Sequence, residues 1–152
     1  MQVKIEDIKR LREITGAGIA DSRRALEEAK GDFKEAQELV KSWGVEKAAG
    51  KSDRVVGAGL VETYIHGGGK VGAMVEVGCE TDFVARTDEF KNLAHELAMQ
   101  VAAMDPKDSK EFEAQDWIRD PSKKIGDLVK ETIAKVGENI VIKRFIRFEL
   151  GS

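Results

Sequence analysis

The sequence has a single cysteine, Cys79, among its 152 residues. One thiol cannot form an internal disulfide or supply the cysteines of a structural zinc site, so we expect Cys79 to be a small buried residue. There is no run of about 18 apolar residues. The first residues, M-Q-V-K-I-E-D, carry acids where a secretory signal has a basic and then an apolar segment. These absences predict a cytoplasmic protein with no membrane contact.

Residues that carry enzymatic chemistry are scarce as well. The two histidines, His66 and His95, fall in different predicted elements, and no base is evident beside Cys79. No nucleophile motif of the G-x-S-x-G type is present. The glycines at 67–69 precede Lys70, but a phosphate-binding loop needs a different spacing and a Ser or Thr after the lysine. We therefore predict no catalytic residue, no metal site and no cofactor.

The charged residues give no sign of a surface for nucleic acid. The chain has 25 Lys and Arg against 28 Asp and Glu, a formal net charge of −3, and the two signs are interspersed. Nucleic-acid binding usually needs a basic patch that neutralises phosphates. The charge pattern argues against direct contact with nucleic acid and leaves a protein partner open.

The first 45 residues have the pattern of three short helices. Apolar residues recur at helical spacing over residues 4–15, 18–31 and 32–44, and a glycine follows or ends each run. This set predicts a small bundle at residues 1–45, similar to the ubiquitin-associated fold, followed by a polar linker at 46–54. The residues expected in its core are Ile5, Ile8, Leu11, Ile14, Ile19, Ser22, Leu26, Ala29, Phe33, Ala36, Leu39, Val40 and Trp43.

From residue 55 the apolar pattern changes to period two, which is typical of strands. The fold class predicted for the whole chain is therefore α+β, in which the three-helix domain precedes a three-stranded antiparallel sheet packed against two helices at 55–152. The expected elements are a hairpin over 55–80 with a glycine turn, a helix from Thr87 to Met104, an irregular crossing strand over 105–123, a helix over 124–136 and a strand over 140–150.

Two helices are expected to cover only one face of this sheet. The last strand is expected to place five apolar side chains on one face, so the uncovered face carries either Ile146 and Phe148 or Phe145 with long basic side chains. An uncovered apolar face favours a partner. The five side chains are Ile140, Ile142, Ile146, Phe148 and Leu150.

Residues 75–86, V-E-V-G-C-E-T-D-F-V-A-R, connect the second strand to the next helix. Asp82 and Phe83 lie side by side on what is expected to be a short exposed connection. One interpretation is that the ring packs under the following helix while Asp82 caps a turn. The other is that Phe83 fills a pocket of another macromolecule, with Asp82 making polar contacts beside it.

Three strings resemble the bacterial elongation factor Ts family and occur in family order. They are T-G-A-G at 15–18, C-E-T-D-F-V-A-R at 79–86 and K-V-G-E-N-I at 135–140. The resemblance covers nearly the whole chain. It implies a guanine nucleotide exchange factor that binds elongation factor Tu with GDP, disturbs its Mg²⁺ and phosphate site, and promotes GDP release without making a bond.

The resemblance also implies which residues contact elongation factor Tu. Phe83 matches the ring that enters between two helices of that partner, and Asp82 matches the acid that helps to displace the groups around magnesium. His66 matches a histidine that the second module copy supplies in long members. The other implied contacts are Thr81, Val84, Val136, Gly137, Ile19, Ala20 and Arg23.

The chain departs from the family between Met104 and Gln115, where relatives have tens of additional residues that include projecting helices. Long members also carry two copies of the sheet-and-helix module, whereas this chain has one. A single copy restores that arrangement by pairing through its open sheet face, so the resemblance predicts a symmetric homodimer. The alternative function is an adaptor in which residues 4–44 bind a peptide or a ubiquitin-like surface without exchange activity.

Overall fold

The computed structural model of the chain describes residues 2–152. The chain divides into two compact units, one that ends at Gly50 and one that runs from Lys51 to Ser152. This division falls inside the segment predicted as a linker. Within the described residues, no helix is both long enough and apolar enough to cross a membrane.

The first unit contains three helices, α1 (Ile5–Thr15), α2 (Ile19–Glu28) and α3 (Phe33–Ala49). Asp32 caps α3, because its Oδ1 accepts a hydrogen bond from the backbone N–H of Glu35 at 2.8 Å. The core is made of a few small and medium side chains with larger ones packed against them. These residues are Leu11, Ala25, Leu26, Ala29 and Ala36, and around them Val3, Ile8, Phe33, Leu39, Val40 and Trp43.

Three residues expected in this core lie outside it. Ile5, Ile14 and Ile19 are each more than half exposed, whereas Leu11 is fully buried. Ile5 and Ile19 begin their helices and Ile14 is next to the end of α1. A bundle of three short helices encloses only the middle of each apolar stripe, so the predicted burial of these three isoleucines is wrong.

The third helix is longer than the sequence pattern indicates. It continues past Gly44 to Ala49, so the first part of the expected linker at 46–54 is helical. A glycine inside a helix costs about 1 kcal/mol relative to alanine but does not end the helix by itself. Ala48 is buried in the added turn.

The second unit is a three-stranded antiparallel sheet, in the order β1-β2-β5, with α5 and α7 packed against it. This arrangement confirms the predicted α+β class. Its elements in chain order are β1 (Ala58–Ile65), β2 (Val71–Cys79), α4 (Asp82–Ala85), α5 (Asp88–Met104), α6 (Ser109–Ala114), β3 (Asp116–Trp117), β4 (Asp120–Lys124), α7 (Ile125–Val136) and β5 (Ile140–Glu149).

The core of this unit lies on the helix side of the sheet. Val75 and Val77 of β2 and Phe90 and Leu97 of α5 are fully buried, and Ile133 of α7 is nearly so. Each apolar side chain of this size stabilises the fold by about 1.5–3 kcal/mol relative to an exposed one. The sheet and its two helices thus form a packed core, and the connections at the strand ends extend from it.

The strand β5 contains one extra residue relative to β2. Val77 pairs with Ile142 but Glu76 pairs with Arg144, so Lys143 has no partner and forms a β-bulge. Ile142 is buried before the bulge, whereas after it Phe148 is exposed.

This bulge corrects the prediction that five apolar residues of β5 share one face. Because side chains alternate along a strand, one extra residue moves every later side chain to the opposite face. Phe145 and Arg147 therefore point to the helix side. The Phe145 ring lies 5.0 Å from that of Phe112, and Arg147 Nε donates to the backbone oxygen of Ala102 at 2.9 Å.

Within residues 51–152, no helix or strand covers the side of the sheet away from α5 and α7. Cross-strand pairing places its side chains together, and several are apolar and exposed. We call this surface the open face. It consists of Val61, Thr63 and Ile65 of β1, Met74 and Glu76 of β2, and Arg144, Ile146 and Phe148 of β5.

Residues 105–123 were expected to form an irregular crossing strand, and this prediction is wrong. They form α6 and most of a separate two-stranded hairpin, β3–β4. Gln100 of α5 is buried and holds the hairpin, since its Nε2 donates to Asp116 O and its Oε1 accepts from Ile118 N, both at 3.0 Å. A bond between a helix side chain and a distant backbone leaves no trace in apolar periodicity.

Candidate partner-binding site

A single helical turn forms the connection after β2. Thr81 caps α4, because its Oγ1 accepts a hydrogen bond from Val84 N at 3.3 Å. Thr87 then caps α5 through a 3.3 Å bond from Phe90 N. We call residues 80–85 the corner.

The corner has a buried side and an exposed side. Val84 and Ala85 are buried, whereas Asp82 and Phe83 face outward, and the Phe83 ring is 81% exposed. A one-turn helix cannot bury residues around its whole circumference, and here the inner side is already occupied. The interpretation that Phe83 packs under the following helix is therefore wrong, and its insertion into a partner stays a prediction.

The corner is bonded to the loop between α7 and β5 through Glu138. Glu138 Oε1 accepts from the backbone N–H groups of Glu80 at 3.1 Å and Thr81 at 3.0 Å. Glu138 Oε2 accepts from the hydroxyl of Thr81 at 2.8 Å. One carboxylate thus takes three hydrogen bonds from two consecutive residues.

In a second set of hydrogen bonds, the loop between α7 and β5 is the donor. The backbone N–H of Asn139 donates to Glu80 Oε2 at 2.7 Å, and Arg54 Nη1 lies 3.5 Å from the same oxygen. The buried side-chain amide of Asn139 donates to the backbone oxygens of Ser52 and Arg54 at 3.3 and 3.0 Å. The last backbone pair of β2 and β5 is Cys79 with Ile140, so these side chains continue the connection beyond the end of the ladder.

Val136 and Gly137, predicted as partner contacts, come just before this bonded loop. Gly137 ends α7 with a φ of 78°, and its N–H donates to Ile133 O at 2.9 Å. The left-handed conformation favours glycine because it has no Cβ. The structure therefore brings two of the predicted segments, Thr81 to Val84 and Val136 to Gly137, to the same end of the sheet.

Cys79 is fully buried at the base of the corner. Its thiol donates to the backbone oxygen of Thr81 at 3.2 Å. Burial raises the pKa of this thiol, and the negative charges of Glu138 and Asp82 raise it further. The thiol is thus held in its neutral form, which is the form that can donate this bond.

The structure does not bring His66 to the corner. His66 follows β1 at the glycine turn, where its N–H donates to Val71 O at 2.8 Å and its Nδ1 lies 3.1 Å from the Tyr64 hydroxyl. Val71 and Cys79 are the two ends of β2, which are roughly 25 Å apart at about 3.3 Å per residue. His66 and Phe83 therefore lie at opposite ends of the sheet.

Ile19, Ala20 and Arg23 lie in the first unit, on the first turns of α2. All three are exposed, and Arg23 Nε forms an ion pair with Glu27 Oε1 at 2.8 Å on the same helix. Among residues 2–152, no group of three or more His, Cys, Asp or Glu side chains is placed to hold a metal ion.

A sequence profile described as "Elongation factor TS" matches residues 80–152, which include the corner and the loop bonded to it. Elongation factor Ts of Thermoanaerobacter sp. (strain X514) is 42% identical over 194 aligned positions, which cover 98% of this chain and 95% of that protein. The chain belongs to the elongation factor Ts family. Elongation factor Ts of Thermotoga maritima is 41% identical over 99% of this chain and 98% of its own length, and that of Coprothermobacter proteolyticus is 39% identical over 99% and 100%.

These elongation factor Ts relatives are longer than this chain. The alignment with the Thermoanaerobacter factor has 194 positions, whereas this chain has 152 residues, so at least 42 positions (194 − 152) have no counterpart here. A missing segment was expected between Met104 and Gln115, and that location stays a prediction.

Glu80, Glu138 and Asn139 lie within the strings at 79–86 and 135–140, but the sequence patterns assign these three residues no role. The positions of these residues relative to the predicted strands could have indicated a role. Glu80 directly follows one strand and Asn139 directly precedes an antiparallel neighbour, and such positions lie at the same end of a sheet. Polar residues at that shared end are the natural means of satisfying the backbone groups beyond the last ladder pair.

Proposed function

We propose that this elongation factor Ts family member is a guanine nucleotide exchange factor for elongation factor Tu. The observation that carries the proposal is the exposed Phe83 ring on a turn whose other side is buried. Family membership supports the general role in translation elongation. The chain makes and breaks no bond in this role.

In the proposed mechanism the corner acts as a wedge. Phe83 enters between two helices of elongation factor Tu, and Asp82 beside it displaces groups that hold magnesium in place. A bound divalent cation is the largest local charge at a nucleotide diphosphate. When its coordination is disturbed, GDP loses compensating contacts and leaves faster.

The firmness of the corner supports this mechanism. A turn whose backbone is already fixed before binding loses less conformational freedom when it presents a ring to a partner than a mobile loop does. In the corner, Val84 and Ala85 are buried, and Thr81 is bonded to both Val84 and Glu138. The free energy of insertion is thus available for opening the nucleotide site.

Binding of the factor and binding of GDP must oppose each other by the same amount. If this chain lowers the affinity of elongation factor Tu for GDP tenfold, bound GDP lowers its affinity for this chain by the same tenfold ratio. Each ligand therefore binds the ternary complex more weakly than it binds elongation factor Tu alone. An excess of GTP in solution would set the direction of exchange.

The first unit supplies a second contact in this proposal. Ile19 is exposed at the start of α2, with Ala20 and Arg23 close behind it on the helix. A largely solvent-exposed ion pair such as that of Arg23 with Glu27 contributes little stability. Arg23 is therefore able to change partners and pair with an acidic residue of elongation factor Tu.

We also propose that two copies of the chain associate through the open face. This face is apolar along β5 and β1, is covered by no other element of residues 51–152, and carries both members of the Arg144 and Glu76 ion pair. A two-fold axis through it would pair the apolar strip of one copy with that of the other. His66 lies too far from Phe83 to act with it in one chain, so the second copy is the proposed source of the histidine contact.

The test is the release of fluorescent GDP from elongation factor Tu, measured against the concentration of this chain. Phe83→Ala should raise the half-saturating concentration roughly thirtyfold, since a buried aromatic anchor contributes about 2 kcal/mol or more. Asp82→Ala should lower the saturating rate, because its carboxylate acts on the metal site after docking.

Val55→Ala is the matched control, because Val55 is also highly exposed, at 86%, but belongs to none of the proposed contacts. This control should behave as the unmodified chain. Full activity of both Phe83→Ala and Asp82→Ala would remove the wedge, and no stimulated release by the unmodified chain would remove the exchange function itself.

A further inference from the structure

The turn that carries Phe83 is too short to be stable by itself. α4 has four residues, whereas isolated helices need about 12–15 residues to be even marginally stable in water. Its geometry must therefore be imposed by what surrounds it. Burial of Val84 and Ala85 fixes the inner side, but it does not fix how the turn begins, and the beginning sets the direction of Asp82 and Phe83.

Glu138 determines that beginning. Its carboxylate accepts the backbone N–H groups of Glu80 and Thr81 at 3.1 and 3.0 Å and the Thr81 hydroxyl at 2.8 Å. With its proton directed to Glu138, the Thr81 hydroxyl has its lone pairs free for Val84 N, which lies 3.3 Å away. The bonds thus fix the residues on both sides of the Asp82 and Phe83 pair.

We propose that Glu138 is a positioning residue for exchange, which acts through the placement of Phe83 and does not contact the nucleotide site itself. This inference rests on the proposed function. The same residue directly follows Gly137, so its carboxylate also sets the distance between the corner and the Val136 and Gly137 segment. Two predicted contact segments that are more than 50 residues apart in the chain become one surface through this side chain.

Two conservative replacements separate the length of the Glu138 side chain from its charge. Glu138→Gln keeps the length, so its carbonyl accepts the two backbone N–H groups and its amide donates to the Thr81 hydroxyl. Glu138→Asp keeps the charge but is one methylene shorter, so it loses contact with the corner. The half-saturating concentration for GDP release should rise about tenfold for Glu138→Asp and Glu138→Ala and less than about threefold for Glu138→Gln.

A double-mutant cycle with Phe83→Ala tests whether Glu138 acts through the ring. If it does, adding Glu138→Asp to Phe83→Ala should raise the half-saturating concentration less than twofold further. Glu96→Asp is the matched control, because Glu96 also accepts two side-chain bonds from a distant segment, from Trp117 at 3.2 Å and Arg119 at 2.7 Å, but at the β3–β4 hairpin. This control should leave exchange unchanged.

The possible outcomes separate the inference from the function it rests on. Suppose that Phe83→Ala strongly raises the half-saturating concentration. If Glu138→Asp then leaves this concentration unchanged, or if the two effects multiply in the double variant, the positioning role is overturned and the wedge stays in place. A fully active Phe83→Ala also overturns the positioning role, because Glu138 then has no ring to act through, whereas the exchange function itself is lost only if the unmodified chain stimulates no release. Circular dichroism of each variant confirms that the sheet and helices are retained, and the Asp and Gln pair still decides the matter if Glu138→Ala does not fold.

Discussion

Phe83 and Phe148 are both exposed, at 81% and 70%, but they lie in different settings. Phe83 is the single ring of a one-turn helix and lies beside the exposed Asp82. Phe148 lies in a long strand opposite Gly72 and is one of several apolar residues on a flat surface. A lone ring is suited to a narrow pocket, whereas a flat apolar strip is suited to another flat surface. We therefore assign Phe83 to the heterologous partner and Phe148 to the second copy.

The largest effect expected concerns a third phenylalanine, Phe90, which provides the baseline for a packing role. Phe90 is fully buried, seven residues after Phe83. Phe90→Ala should lower the free energy of unfolding by about 3–5 kcal/mol, because it removes buried surface and leaves a cavity. Phe83→Ala should change it by less than about 0.5 kcal/mol. Urea unfolding followed by circular dichroism, at one fixed protein concentration, measures both.

A similar loss of stability in the two variants would contradict this contrast. It would mean that the Phe83 ring contributes to the fold of its own chain. The comparison with Phe148 would then lose its meaning.

The next effect concerns association. The unmodified chain should have twice the mass of a single 16.7 kDa chain at micromolar concentration. Phe148→Asp should raise the dimer dissociation constant at least roughly 100-fold, because a two-fold interface contains the unpaired charge twice. Light scattering or sedimentation equilibrium measures the mass.

Phe83→Asp is the control for that experiment, since it makes the same chemical change at the other exposed phenylalanine and should leave the mass unaltered. If the unmodified chain is a monomer at these concentrations, the homodimer proposal is lost. If Phe83→Asp also dissociates it, the two rings do not have separate partners.

The smallest effect concerns the polar residues of the open face. Arg144 Nε lies 2.7 Å from Glu76 Oε1, and the arginine side chain is largely exposed in the single chain. Arg144→Ala should lower the free energy of unfolding of the monomeric Phe148→Asp chain by about 0.5 kcal/mol or less, and 0.5 M salt should remove most of that difference. A cost well above 1 kcal/mol in the monomer would show that this pair stabilises the sheet and is not available to an interface.

Much of the fold follows from local patterns. The helix expected from Thr87 to Met104 is α5, and the helix expected over 124–136 is α7, because each has a clear apolar stripe and a residue that ends it. The β1–β2 hairpin follows from period-two alternation on either side of the glycines. These features depend on residues close together in the chain, so one sequence is enough to find them.

What could not be predicted depends on single residues or on distant bonds. Lys143 resembles any other strand residue, so nothing in the composition of β5 indicates a bulge there. The exposure of Phe83 depends on whether Val84 and Ala85 take the inner side of the turn. The bonds of Glu138 to the corner join residues nearly 60 positions apart. For the candidate site, the strings indicated segments whose binding role stays a prediction, and the structure revealed the hydrogen bonds that link these segments.

The bulge at Lys143 divides β5 into a part with buried isoleucines and a part with apolar side chains on the open face. Before the bulge, the apolar residues Ile140 and Ile142 face the interior of the chain. After it, the apolar residues Ile146 and Phe148 face outward. If Lys143 were instead paired with Glu76 in an unbroken ladder, every later residue would move by one position, so that Phe148 would turn inward and Arg147 would face solvent. The outward direction of Phe148, on which the proposed association depends, thus follows from leaving one backbone position unpaired and not from the chemistry of the lysine side chain.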